Sequence, residues 1–576
     1  MTAAFAVMTA LMLVIGGRLL QLQGVDAAAY ASSAESGRLK EKVVAAQRGS
    51  ITDVHGTQLA YSVETRTVYA DPALIDPADR ADVAAFVSEK LGVRYADVMA
   101  AVSAKGRYAI IAKGVDPAIA LEIQQSKVNG TLLRGIGTER TQKRIYPAGS
   151  TAGQVVGFTS RDHGDGKGVV GQAGIEQSMD DLLTGKDGKL VYEASPDGAM
   201  IPAGIQEETA AVPGSTVQLT LDADIQYLVQ NTVNTYQANN PAAQAVSAVA
   251  LDAKTGQVVA MYGTPGYDPQ NPGASDGDDL SNPTVSTVLE PGSIQKVTTI
   301  APALQKGLIT PGTVFATPGS LPVADVVVHD AWSHGVVDYT ATGILAKSSN
   351  VGTLLINEKL DKDYFYEMLQ KFGEGQKTGI ELPAESRGIL APRSDWSGSQ
   401  VGNVPIGQGV SLTPLQMASV YQAIANDGVR VPPRIVKSVI GPDGGASPGS
   451  QPAPIEVISA SAAADLRAML EAVTVDGTGK AAKVPGYRVG GKTGTGQRAN
   501  PDCGCYAGGG YYHTFVGMAP IEDPRYVVAI AITDPSASVG GGAGGLFSTV
   551  MGQILQSRAV PPSIDESPDY ALVAGE

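Results

Sequence analysis

The heptapeptide Glu290-Pro291-Gly292-Ser293-Ile294-Gln295-Lys296 lies near the middle of the chain and decides how the rest is read. Pro291 and Gly292 end what precedes it, and the stretch from Ser293 to Lys306 is expected to be helical from about Ser293 onward. Three positions apart on a helix, Ser293 and Lys296 share a face. An amine beside a hydroxyl, near a helix start, makes a serine nucleophilic without histidine. The lysine must then be largely neutral, which requires burial or a second cation. No other Ser-x-x-Lys occurs in the 576 residues, although any exposed helix can hold such a pair.

Two further stretches add chemistry. Ser348-Ser349-Asn350 is the single Ser-x-Asn of the chain. A hydroxyl can relay a proton and an amide can donate and accept, although the same triplet also suits a helix cap or turn. Lys-Thr-Gly occurs three times, at Lys254, Lys377 and Lys492. The first falls in a hairpin turn and the second in a loop. The third closes a Val489-Gly490-Gly491 strand and is followed by Thr495. A strand edge there would offer Lys492, two hydroxyls and a backbone N–H to a carboxylate and an oxyanion. Gly486 to Thr493 also fits the P-loop pattern, but Gly494, Gly496, Asn500 and Pro501 oppose the helix a P-loop requires.

Composition narrows the classes. A net charge of −15 repels nucleic acid. Five histidines and only two cysteines, with no zinc-type spacing, leave no expected metal and no expected cofactor. Residues 2–17 carry no charge, and with Arg18 snorkelling the apolar run reaches about the 20 residues of a spanning helix. A cleaved signal peptide competes, with small-x-small sites at Ala27-Ala28-Ala29 and Ala29-Tyr30-Ala31, but it lacks a basic flank. The expectation is an uncleaved single-pass anchor, with everything beyond residue 25 outside the cytoplasm.

The expected organisation is an anchor at 1–24, a mostly β pedestal at 36–212, a connector at 213–240, a mixed α/β domain at 241–558, and a flexible tail at 559–576. The pedestal is densely punctuated, as at Asp162-His163-Gly164-Asp165-Gly166, and carries no nucleophile. Within the α/β domain, Val217, Leu219 and Leu221 alternate as a strand at its approach. Ser247 to Met261 reads as a hairpin, Pro414 to Ala425 as a helix, and Tyr487–Gly491, Thr514–Ala519 and Tyr526–Thr533 as late strands.

The order Ser-x-x-Lys, Ser-x-Asn, Lys-Thr-Gly resembles the penicillin-binding protein and serine β-lactamase superfamily. Arg48-Gly49-Ser50-Ile51-Thr52-Asp53 with Gly56 resembles the first box of class B penicillin-binding proteins. Arg144-Ile145-Tyr146-Pro147, Gly174-Ile175-Glu176, and Ile406-Gly407-Gln408-Gly409 with Thr413-Pro414-Leu415-Gln416 extend that similarity over about residues 18 to 535. The departures are Val54-His55, and Ile294-Gln295 where Thr-Phe is common.

The resemblance implies an antiparallel sheet flanked by helices behind a β-rich pedestal. It also implies a serine D,D-transpeptidase that cross-links peptidoglycan stem peptides and is acylated by β-lactams. On it, Ser293 attacks D-Ala-D-Ala, Lys296 is the general base, Ser348 passes the proton to the leaving amine, and Asn350 orients Lys296 and the substrate amide. Lys492 lowers the Lys296 pKa and, with Thr493, Gly494 and Thr495, holds the terminal carboxylate. The N–H groups of Ser293 and Thr495 form the oxyanion hole.

No glycosyltransferase acid pair lies between 30 and 240, which sets aside a bifunctional class A protein. Gly17-Arg18-Leu19-Leu20-Gln21-Leu22-Gln23 resembles the septal transpeptidase of an actinobacterium, with the elongation enzyme as the alternative. The implied partners are stem peptides or lipid-linked precursor, β-lactams, the cell membrane, and a polytopic glycosyltransferase with other division proteins. A sensor that is acylated without turnover and a hydrolase are the competing classes. Cys503 and Cys505 are either a tight disulfide clip or two free thiols.

Overall fold

The structure is a computed structural model and describes residues 2–26, 38–160, 169–195, 200–201, 203–324, 326–500, 502–536 and 542–575. The Asp162–Gly166 turn and both small-x-small sites lie outside those residues. The chain separates into two compact units with interleaved segments. One comprises residues 1–48, 64–143 and 184–214, and the other 49–63, 144–183 and 215–576.

In the first unit, Leu39–Val44, Gly188–Glu193 and Gln206–Thr209 form a three-stranded antiparallel sheet. Residues 66–70 pair with Ala109–Val115. Helices Arg80–Leu91, Tyr95–Val102 and Pro117–Gln125 bury Val83, Val87, Val98 and Ile123 with Val68 and Val115. The sequence pattern predicts strands and turns here; the helices are short and carry mixed polarity. Thr2–Leu20 is helical and continues as a π turn through Val25. It is the one helix among the described residues long and apolar enough to cross a bilayer.

The second unit is built on a five-stranded antiparallel sheet. Its strands are β1 (Ala245–Asp252), β2 (Val258–Gly263), β3 (Gly490–Gln497), β4 (Tyr511–Ala519) and β5 (Tyr526–Asp534), in the order β2-β1-β5-β4-β3. Side chains alternate across a strand, so the apolar runs feed two cores. Val249, Leu251, Val527 and Ala529 face one core, while Val246, Ala248, Val528, Ile530 and Ile532 face the other. Helices α1 (Ala223–Asn239) and α7 (Gly542–Ser557) cover the second face. Helices α2 (Lys296–Gln305), α3 (Ala341–Lys347), α4 (Asn350–Asn357), α5 (Pro414–Ala425) and α6 (Ala460–Val475) gather on the first.

Four expectations are corrected. Residues 213–240 are no connector: Asp222 caps α1 through the N–H groups of Asp224 and Ile225, and Ile225, Val229 and Val233 are spaced by four and bury one stripe against the sheet. Lys492 lies inside β3 rather than beyond a strand ending at Gly491, because pairing with β4 continues to Gln497. The pedestal at 36–212 is not one contiguous piece, since 49–63 and 144–183 pack in the second unit. There Arg144 and Glu176 form a buried pair at 2.7 Å, and Arg144 also donates to the Gly49 carbonyl at 2.7 Å.

The tail is the fourth. It is docked rather than flexible. Val573 bridges Tyr339, and Thr340 N–H donates to the Leu572 carbonyl at 3.0 Å. Leu572 is buried beside Ala346 and Ala472, and Tyr570 donates to Glu471 at 2.6 Å. The tail reads as polar, but Leu572 and Tyr570 find an apolar pocket and a carboxylate far away in sequence.

Candidate active site

Gly292–Gln295 forms a single 3-10 turn that runs directly into α2. Positions i and i+3 eclipse in such a turn, so Ser293 and Lys296 lie on one side. Gly292 has φ +59, and a Cβ there would fall 2.6 Å from the Thr495 carbonyl carbon and oxygen. Glycine is therefore required both by the left-handed backbone and by the close approach to β3.

The Ile406–Gly409 stretch and α5 hold this turn. Gly292 N–H donates to the Gly407 carbonyl at 3.0 Å, Gly409 N–H to Glu290 at 3.0 Å, and the Tyr421 hydroxyl to the Ile294 carbonyl at 3.1 Å. Thr413 and Gln416 form a capping box that starts α5. Gln295 donates to both carboxylate oxygens of buried Glu374 at 2.8 Å. Burial pushes the Glu374 carboxyl up to about 8, against the lowering hydrogen bonds of Gln295 and Thr298.

Lys296 is fully buried. Its Nζ donates to the Ser348 carbonyl at 2.6 Å, Asn350 Oδ1 at 2.7 Å and Ser348 Oγ at 3.3 Å. Burial lowers Lys296 to about 7, and the charge of Asp330 acts in the opposite direction. Among the described residues Ser293 Oγ, half-buried, has no hydrogen-bond partner.

Ser348 adopts the left-handed conformation, φ +63, at the end of α3, and Ser349 caps α4 by accepting from Gly352 N–H at 2.8 Å. The triplet thus serves both readings weighed from sequence. It is a helix junction, and the junction turns Ser348 and Asn350 onto Lys296.

β3 is the sheet edge, so one row of its backbone groups has no strand partner. The nucleophile turn lies against that row at Thr495 and Gly496. Lys492 is fully buried, half-buried Thr493 hydrogen-bonds Thr478 at 2.7 Å, and Thr495 is exposed. Burial holds Lys492 well below the usual lysine range, and the charge of Lys296 depresses it further. The shift of Lys296 itself comes from burial and Asp330, so the charge coupling between the two lysines falls on Lys492.

The structure brings Lys296, Ser348 and Asn350 together, with Ser293 one 3-10 turn before Lys296 and with Lys492, Thr493, Gly494 and Thr495 along the adjoining edge. Lys254 and Lys377 stay outside, in the β1–β2 turn and in a loop. Residues 486–493 open no helix, which removes the P-loop reading. Cys503 and Cys505 are joined as a disulfide, and Tyr506 beside them donates to Glu290 at 2.8 Å. Sequence reasoning missed Asp330, His334, Glu374 and Thr478. No fixed spacing ties them to a motif, and only an Asp and a His four apart signal the first two.

The chain matches two family descriptions, the penicillin binding protein transpeptidase domain over residues 246–554 and the penicillin-binding protein dimerisation domain over 43–219. It is 42% identical to the penicillin-binding protein PbpB of Mycobacterium tuberculosis, covering 99% of this chain and 86% of the relative. It is 29% identical to the peptidoglycan D,D-transpeptidase FtsI of Escherichia coli, covering 95% and 90%. The crystal structure of penicillin binding protein 3 from M. tuberculosis complexed with ampicillin matches with a TM-score of 0.73 and 38% identity, over 92% of this chain and all of that one. The chain therefore belongs to the penicillin-binding protein transpeptidases.

Proposed function

We propose that the chain is a peptidoglycan D,D-transpeptidase working through an acyl-enzyme on Ser293. The observation that carries the reading is the convergence of Lys296 on Ser348 and Asn350 beside the nucleophile turn. A neutral Lys296 keeps two N–H donors for the Ser348 carbonyl and Asn350 Oδ1. Its lone pair is then left for the Ser293 proton. Ser293 Oγ bonds to the carbonyl carbon of the penultimate D-Ala, and the C–N bond to the terminal D-Ala breaks. Ser348 hands the proton to that amine.

A backbone pair at Ser293 and Thr495 suits the oxyanion, each donor being worth roughly 100- to 1000-fold in other enzymes. An acceptor amine then attacks the ester, releasing Ser293 and leaving a new amide. Lys492, Thr493 and Thr495 suit the terminal carboxylate, which β-lactams mimic.

Names of the relatives PbpB and FtsI support a septal role. On this reading the apolar helix is the anchor, the pedestal is the part of 36–212 that lies in the first unit, and the second unit is the catalytic region, facing outward from the cell membrane. The partner class is a polytopic glycosyltransferase and other division proteins.

Intact mass after incubation with benzylpenicillin tests the chemistry. A stable one-equivalent adduct is expected, absent in Ser293→Ala, with product formed when a D-amino acid amine is supplied to a D-Ala-D-Ala donor. No adduct on folded protein would sink the reading; an adduct lost rapidly to water would favour a hydrolase.

A further inference from the structure

Asp330 belongs to none of the three motifs, yet its side chain is fully buried and collects three donors, with the His334 ring beside it. Asn350 N–H reaches Oδ1 at 2.5 Å and Val351 N–H at 3.0 Å, while Ser349 Oγ–H reaches Oδ2 at 2.7 Å. His334 Nε2 lies 2.9 Å from Oδ2, and its ring stacks on Trp332 with centroids 5.3 Å apart. The neighbouring His329 carbonyl accepts from Asn350 Nδ2 at 2.9 Å. That bond fixes which end of the amide faces Lys296. The segment 329–330 therefore holds Asn350 by its backbone and by its side chain, and leaves Oδ1 to Lys296 alone.

An ordinary helix start needs one side-chain acceptor. Ser349 already supplies it for α4 through Gly352, so the carboxylate is a second, buried restraint on the same turn. We propose that Asp330 is a positioning residue of the acyl-transfer site, locking the Ser348-Ser349-Asn350 junction against Lys296. The proposal rests on the reading of Ser293 as an acylated nucleophile.

Geometry and charge act in concert. The titratable groups set around Lys296 are Lys492 from β3 and Asp330 backed by His334, with Glu374 reaching the same turn through Gln295. Asp330 is the neighbour whose charge favours protonated Lys296. Asp330→Asn keeps the acceptor for both backbone N–H groups. Its new amide can donate to His334 or Ser349, so it removes charge while keeping the hydrogen-bonding shape. Asp330→Ala removes both.

The experiment measures the β-lactam acylation rate from pH 5 to 9, with thermal melts of each protein. Wild-type protein is measured first: absence of acylation there would defeat the parent reading, and this one with it. Given acylation, folded Asp330→Asn should move the acidic limb of the profile down by about one pH unit, since a lost opposite charge lets Lys296 deprotonate more readily. Asp330→Ala should acylate at least tenfold more slowly at pH 8. A purely structural role would lower the melting temperature without moving the limb. A folded Asp330→Asn protein with the wild-type limb would overturn the proposal, whether or not the alanine variant folds. So would an alanine variant with the wild-type rate.

Discussion

Lys296 Nζ lies 2.7 Å from Asn350 Oδ1, inside a site where the amine is shut off from water. The amide accepts from the amine in either protonation state, and burial holds the group near pH 7 rather than near 10. Below that value Lys296 is protonated and has no lone pair for the Ser293 proton. The acylation rate is expected to rise about tenfold per pH unit up to about pH 7 and then level off. Asn350→Asp places an anion beside Nζ and should move the limb upward by roughly one to three units. Stopped-flow acylation with a chromogenic β-lactam measures both, and a wild-type profile flat from pH 5 to 9 would exclude Lys296 as the base.

Gly292→Ala tests the nucleophile turn. The added methyl carbon would meet the Thr495 carbonyl at 2.6 Å and Gly496 N at 2.9 Å, all backbone atoms. Strand β3 or the turn must shift, and the spacing between Ser293 and Thr495 shifts with it. Acylation should fall on the order of 100-fold or more, as when one oxyanion donor is lost, with a smaller change in melting temperature. Near-normal acylation would show that the two backbones are not held in the register inferred for them.

Glu374→Gln addresses stability. The carboxyl moves from 4.5 to about 8 on folding, chiefly through burial. Between those values the unfolded chain has lost the proton and the fold retains it. The fold binds more protons, so this group's contribution to stability falls as pH rises through that window. The glutamine variant should lack that loss and gain on wild type by a few kcal/mol between pH 5 and 8. Denaturant melts across that range measure it, and parallel curves for the two proteins would refute it.

Truncation after Ile564 probes the docked tail. It removes Leu572 from its pocket, the Ser567 and Tyr570 donors from Glu471, and the Leu572 carbonyl from Thr340 N–H. Burial of one leucine alone contributes about 1.5–3 kcal/mol. Thr340 caps α3, whose far end carries Ser348, so acylation should slow as well. Calorimetry with acylation rates checks this, and an unchanged melting temperature would return the tail to the status of a dispensable appendage.

Much of the catalytic region is legible from residues. The β1–β2 hairpin, α5 at Pro414–Ala425 and the last two strands are legible as local patterns, and the three motifs stand at unique or distinguishable positions. Helix α1 repeats Ile225, Val229 and Val233 by four, but the polar residues between them mask that signal, and the stretch reads as a connector. Glu374 and Asp330 were not legible. A carboxylate's burial depends on what packs over it, and apart from the histidine four residues after Asp330 neither position differs in sequence from a solvated loop acid.

By itself the sequence determined the residue types of the chemistry, their order, the alternating faces of the sheet and the apolar N-terminal helix. These rest on local periodicity and on side-chain identity, which a linear string carries in full. Tertiary structure alone decided that Lys296 is dehydrated and clasped by Ser348 and Asn350, that Asp330 anchors their turn, that segments 49–63 and 144–183 join the catalytic unit, and that Leu572 seals its tail. Each of these depends on contacts between residues far apart in sequence, and burial and electrostatics are properties of that assembled neighbourhood.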